Sequence, residues 1–231
     1  MSNDITFKTH YRDLPINTGL FNNLGVYTRL LKAMHDQINA LLSRHSRITL
    51  VLFNLHLPDM DILTASSSNL HVTKFFKQIK EDLAKLSWGN HQDVIHFWAR
   101  EVGESKKGHY HCFIGFKQSY KRIGAISSDG YTGIWKSLAE RWSALTDGFL
   151  RPVTTYTVNR GENNELSTAF KRLSYAAKVR DKDFGTGDTY KRFSASRLEA
   201  KNANAQCATP DELHIRFHSP PTPTYRPYLT Q

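Results

Sequence analysis

Gly108-His109-Tyr110-His111-Cys112-Phe113-Ile114-Gly115-Phe116 sets two histidines around one aromatic residue at the head of an apolar run. In an extended strand alternate side chains share a face, so His109, His111 and Phe113 point one way and Tyr110, Cys112 and Ile114 the other. Two imidazoles two residues apart on one face can grip a single cation. An isolated pair of this kind is weak evidence, because strands carry histidines for many reasons. The upstream neighbour changes the balance.

That neighbour, Val94-Ile95-His96-Phe97-Trp98-Ala99-Arg100-Glu101-Val102, also reads as a strand. The link over 103–108 is polar with a glycine at each end, which predicts a hairpin loop. If Val102 pairs near Gly108, Glu101 falls opposite His109 on the same face; a register two residues away brings it beside His111. Either way a carboxylate and two imidazoles converge, with room left for water or a phosphate oxygen. Mixed oxygen and nitrogen ligands suit Mg²⁺ or Mn²⁺ acting on phosphate, with Zn²⁺ a less suited candidate. Asn54 and His56 share a parity on an earlier strand and could face the same side, His56 being a weaker ligand candidate than Glu101. Arg100 falls on the opposite face, which points to a structural or DNA-facing role.

Outward from the hairpin, a helix is expected over 24–42, with Val26, Leu30, Leu31, Met34, Ile38, Leu41 and Leu42 at helical spacing. The nearly continuous apolar run over 48–58 predicts a central strand covered on both faces and ended by Pro58. A second helix is expected over 69–86, a third over 132–145, a strand over 153–158 and a fourth helix over 168–182. Without the first and last helices the order is β-α-β-β-α-β. That predicts the α+β class: a ferredoxin-like (split βαβ) antiparallel sheet with helices on one face, the first strand and the histidine strand being central neighbours. Residues 1–22 read as an N-terminal arm, 23–200 as the domain, and 201–231, with its Pro- and Thr-rich end, as a disordered tail.

The chain has 231 residues, 31 Lys and Arg against 21 Asp and Glu, and a formal charge of +10. That balance favours a polyanionic partner, since each neutralised phosphate releases counterions. Aromatic residues, 12% of the chain, supply core volume and surfaces for stacking bases. Lys106, Lys107, Lys117, Lys121, Arg122, Lys171, Arg172 and Arg197 are candidate phosphate contacts. No apolar run approaches the roughly 18 residues needed to span a membrane, and the start of the chain lacks the apolar core of a signal peptide. Cys112 and Cys207 are far apart, which suits a reduced cytoplasmic protein.

On the fourth predicted helix, Tyr175-Ala176-Ala177-Lys178 puts the phenol and the ammonium on one side. The two alanines keep that surface low enough for a bulky ligand. An unperturbed phenol, with a pKa of about 10, is a poor nucleophile at neutral pH; a nearby ammonium or a metal-bound phosphate eases loss of its proton. A tyrosine packed on the sheet beside a solvated lysine is the plainer account of this motif taken alone.

Together, Trp98-Ala99-Arg100-Glu101, Gly108-His109-Tyr110-His111, Ser174-Tyr175-Ala176-Ala177-Lys178 and Phe193-Ser194-Ala195-Ser196-Arg197 resemble the HUH endonucleases. The closer resemblance is to the inovirus-type replication initiators of filamentous phages, prophages and related mobile elements, over 48–197. Ser194 departs from that pattern, which has glycine there. The resemblance implies a single-tyrosine nickase and strand transferase that initiates rolling-circle replication in a bacterial host. His109, His111 and Glu101 would hold the divalent metal, and Tyr175 would form a 5′-phosphotyrosine with Lys178 assisting. The implied partners are single-stranded DNA or an origin hairpin, a separate helicase (the chain has no phosphate-binding Gly-x-x-x-x-Gly-Lys-[Ser/Thr] loop) and host replication proteins. The rival readings are a non-catalytic single-stranded nucleic-acid-binding module of RRM-like topology, a metal hydrolase using activated water, and a degenerate initiator that binds DNA without cutting it.

Overall fold

A computed structural model describes residues 4–58, 65–102, 108–118, 123–180, 182 and 191–201. The elements are β1 (Ile5–Thr6), β2 (His10–Tyr11), β3 (Leu14–Pro15), β4 (Val26–Tyr27), α1 (Thr28–Arg44), β5 (Arg47–His56), α2 (Ala65–Leu83), β6 (Val94–Val102), β7 (Gly108–Lys117), β8 (Ile126–Ser127), β9 (Gly130–Tyr131), α3 (Gly133–Thr146), β10 (Phe149–Asn159), α4 (Asn163–Leu173) and β11 (Phe193–Ala195). The class is α+β. Five strands form one antiparallel sheet in the order β10-β5-β7-β6-β11. β5 and β7 are neighbours inside the sheet, as the pattern of 48–58 and 108–116 predicts.

β5 is buried almost throughout because both faces are covered. One face packs Val51, Phe53, Leu55, Tyr110 and Ile114 against Phe75, Phe76 and Ile79 of α2 and Trp135, Leu138 and Trp142 of α3. The other packs Leu50, Leu52, Phe97 and Phe113 against Leu30, Leu31, Met34 and Leu41 of α1 and Phe170 and Leu173 of α4. Each helix buries its apolar stripe, which supplies most of its stability. No helix among the described residues is long and apolar enough to cross a membrane.

The expected arm over 1–22 is folded where it is described. β1 pairs with β4, and Leu14 and Ile16 join the core on the α1–α4 face. Asp4 caps α1 from a distance: its Oδ1 accepts from Thr28 Oγ1 at 3.0 Å and from the Arg29 backbone N–H at 3.1 Å. A carboxylate there meets orphan donors and the positive end of the helix dipole. α1 thus starts at Thr28, later than expected, because Val26–Tyr27 is drawn into the β1 pairing.

The fourth helix needs a correction. Instead of running over 168–182, α4 ends at Leu173, Ser174–Ala177 forms a 3₁₀ turn, and Lys178 has extended backbone. The competing forces are tertiary. Asn17 donates its N–H to Ser174 Oγ at 2.7 Å, Val179 N–H donates to Gly25 O at 2.8 Å, and Lys178 bridges to Val26. These pairings override the helix preference of the two alanines. At the other edge of the sheet Gly148 is demanded by space, since a Cβ there would lie 2.2 Å from the His56 carbonyl oxygen. That same oxygen accepts from Trp142 Nε1 at 2.8 Å, pinning the end of β5 to α3.

The expected tail over 201–231 lies outside the described residues beyond Lys201, as do Lys106, Lys107, Lys121, Arg122 and the loop over 103–107.

Candidate metal centre

The β6–β7 register sets Val102 against Gly108 and Glu101 against His109, the first of the two pairings expected from the hairpin. The β5–β7 register sets Asn54 against His111 and His56 against His109. Period-two alternation then turns Glu101, His109, His111, Asn54 and His56 to one face, at its open end beyond the α1–α4 core.

Glu101 is almost fully buried while the histidines are partly open. Its Oε2 lies 2.9 Å from His111 Nε2 and 3.5 Å from His109 Nε2, and the two imidazole nitrogens are 3.2 Å apart. Donor atoms separated by about 3 Å suit a cation bound at about 2.1 Å. His111 Nδ1–H donates to Asn54 Oδ1 at 2.8 Å, which leaves Nε2 as the ring atom facing Glu101 and His109. Three electron-rich atoms this close require positive charge among them, a proton or a metal ion. Glu101, His109 and His111 could therefore hold a metal ion.

The surrounding charges favour that role. Burial alone would raise the Glu101 pKa, but the hydrogen bond and charge of His111, with the Lys182 ammonium, bring it down to about 2. Burial, aided by the charge of His111, lowers His109 to about 4, so its imidazole is neutral at neutral pH with a lone pair available. Lys182 is fully buried and its Nζ pairs with Glu101 Oε1. One carboxylate oxygen is thereby occupied and the other is aimed at the imidazoles. Lys182 was not singled out from sequence, and no local spacing marks it.

Tyr175 stands over this group. Its ring meets the His111 ring edge-to-face at 5.5 Å, and its hydroxyl accepts from Lys178 Nζ at 2.8 Å. Lys178 Nζ is also 3.3 Å from Glu101 Oε2. Residues three apart eclipse in a 3₁₀ turn, so the pair converges although no α-helix carries it. Burial would lower the Lys178 pKa, but the Tyr175 hydroxyl and Glu101 together raise it. The ammonium is charged at neutral pH and lies between the phenol oxygen and the carboxylate.

Towards the sheet edge, three rings on adjacent strands stack in parallel. His56 lies 5.4 Å from His109 at 10° and 4.6 Å from Phe149 at 3°. His56 thus packs against a ligand candidate, with its pKa lowered by burial and by Arg151. Arg100 is buried on the opposite face, against Tyr110, whose phenol burial pushes up to about 12.

Of the described candidate phosphate contacts, Arg172 is near the centre and exposed, with Lys171 beside it. Lys117 is exposed at the far end of β7. β11 pairs Phe193 with Ala99 and Ala195 with Phe97, so the chain runs away from Glu101. Arg197 is about six residues along that direction, about 20 Å at strand spacing. Ser194, set against Trp98 in this strand, has ordinary extended pairing.

No curated protein and no solved structure matches the chain. A family model does match, and it spans the sheet, the Glu101–His109–His111 group and the Tyr175–Lys178 pair: over residues 9–196 it is the one described as the YagK/YfjJ C-terminal domain, and the chain belongs to that family.

Proposed function

We propose that this chain is a metal-dependent, sequence-specific single-stranded DNA nickase and strand transferase of HUH type, acting through Tyr175 to start rolling-circle replication of a phage or mobile element. The sheet order, with β10-β5-β7-β6 enclosing two helix crossovers, supports a ferredoxin-like reading of the core. The observation that carries the proposal is the chain of contacts from the Tyr175 hydroxyl through Lys178 to Glu101 beside the two imidazoles. A phenol paired with an ammonium beside a candidate cation site suits attack on a phosphodiester better than binding alone.

Glu101, His109 and His111 would hold Mg²⁺ or Mn²⁺, which supplies Lewis-acid polarisation of a phosphoryl oxygen. The protein's own groups do the rest. Tyr175 Oη forms the bond to phosphorus as the bond to the 3′-oxygen breaks, leaving a 5′-phosphotyrosine and a 3′-hydroxyl. The phenol loses one proton and the leaving oxygen gains one. Lys178 holds the phenol in place and offsets negative charge in the transition state. Because a phosphodiester is exchanged for a phosphotyrosine, the reverse step rejoins strands without nucleotide hydrolysis, and strand separation falls to a separate helicase.

The test is a pool of labelled single-stranded oligonucleotides incubated with Mn²⁺ and resolved under denaturing conditions. The wild type is expected to give a covalent adduct that disappears in Tyr175→Phe while strand binding survives. Normal cutting by Tyr175→Phe would remove the nucleophile assignment. Adduct-free wild type with strong binding would favour the RRM-like binding module.

A further inference from the structure

A cavity of about 410 Å³ opens beside Tyr175 and His111, between the sheet face and the segment that runs from the end of α4 into the 3₁₀ turn. Its sheet side is apolar, made by Leu52, Phe97 and Phe113. Leu173 and Ala176 form the opposite wall. Val153 lines it from a β-bulge: the β10–β5 register passes from Pro152 to Thr154 and leaves Val153 unpaired, a device that re-aims a side chain beside a site.

Three polar side chains stand at the opening. Asn54 spends its carbonyl oxygen on His111 and Asn17 spends its own on the Gly19 N–H, so both amide NH₂ groups remain to bond the edge of a ligand. Arg172 is exposed at the rim. Arg151, also exposed, lies across the ladder from Asn54 on the same face. A second cavity of about 360 Å³ continues past Asn17 and Arg172 to Tyr156 and Lys171. The first volume falls in the range of small-molecule sites, about 300–1,000 Å³. Apolar walls, amide donors and a cationic rim are complementary to a nucleotide: an apolar-faced base, polar at its edge, with phosphates on either side.

We propose that this cavity receives one unpaired nucleobase adjoining the phosphate on which Tyr175 acts, with Arg172 and Arg151 holding the flanking phosphates and the second cavity taking the next nucleotide. The proposal deepens the nickase reading and rests on it for the identity of the strand. It also adds a specificity device: an apolar cavity next to the nucleophile that takes a base selects strands that can evert one, so unpaired DNA is favoured over duplex.

The test is binding in EDTA, so that cutting plays no part. The probes are a fluorescent oligothymidylate and an abasic oligomer of the same length and charge. The wild type is expected to prefer the base-bearing strand by about tenfold, the scale of a lost base contact. Val153→Phe, which fills the cavity from the sheet, and Ala176→Leu, which fills it from the opposite wall, should each reduce that preference to about twofold or less with abasic binding retained. Arg172→Gln should weaken both probes alike and reduce the salt dependence by about one charge. Equal binding of the two probes by the wild type overturns the proposal, as does an undiminished preference in a folded variant with a filled cavity. Adduct formation by a protein without base preference overturns the cavity assignment alone; base preference without any adduct overturns the nickase reading alone.

Discussion

The ammonium of Lys182 is fully buried against Oε1 of Glu101, a partner 81 residues earlier in the chain. With His111 the pair helps keep a buried carboxylate ionised, and it leaves the other carboxylate oxygen to face His109 and His111. Removing one member of a buried pair strands the other charge, at about 3–5 kcal/mol. Lys178 remains 3.3 Å from Glu101, so Lys182→Met is expected at the lower end, about 3 kcal/mol. Urea denaturation measures it, and Glu101→Gln combined with Lys182→Met should recover part of the loss. A loss under about 1 kcal/mol would show that the pair does not hold the carboxylate.

Asn54 should set metal affinity without touching the metal. Its Oδ1 fixes the tautomer and ring angle of His111, and groups in that position typically contribute about 10–100-fold in affinity. Asn54→Ala is expected to weaken Mn²⁺ binding by about tenfold, measured by calorimetry or by the free-Mn²⁺ resonance signal. His109→Ala with His111→Ala should abolish saturable binding. Unchanged affinity in Asn54→Ala would mean that His111 is oriented by packing alone.

Lys178 is expected to act on rate more than on binding. Lys178→Met removes the hydrogen bond and the charge beside the Tyr175 hydroxyl, so adduct formation should slow by about 10²–10³-fold, the usual loss for one transition-state donor. Single-turnover gels give the rate and anisotropy gives the binding. Parallel losses in both would reassign Lys178 to holding the strand.

Acid sensitivity is expected to arise partly far from the metal ligands. His96 stacks on Phe76 with centroids 4.5 Å apart, and its Nδ1 is buried with no hydrogen-bond partner among the described residues. Burial, with a contribution from Lys80, lowers its pKa from 6.5 to about 4. The unfolded chain therefore takes up this proton first as pH falls. Stability is full above pH 6.5, declines from there to about pH 4, and below that His96 adds no further slope. The whole effect is about 3 kcal/mol. His96→Phe should flatten the pH dependence of the melting temperature in that window; an unaltered slope would assign it to other groups, His109 among them.

The hairpin and the face it presents were legible in the chain, because both are set by neighbouring residues. Strand alternation puts His109 and His111 on one side, and the Val102–Gly108 pairing across a short polar link delivers Glu101 to them. Apolar spacing likewise marked the first three helices, to within about four residues at their ends, and the covered strand over 48–58. Tertiary structure decided the rest. The Tyr175–Lys178 pair is formed by a 3₁₀ turn and an extended residue, because Val26 and Gly25 compete for backbone that sequence alone assigns to a helix. The folded N-terminal segment, the Lys182–Glu101 pair, the Val153 bulge and the cavity beside Tyr175 all depend on groups distant in sequence. Periodicity and turn chemistry are written in consecutive residues. A buried charge pair or a cavity exists only once packing has brought separate segments together and removed the water between them.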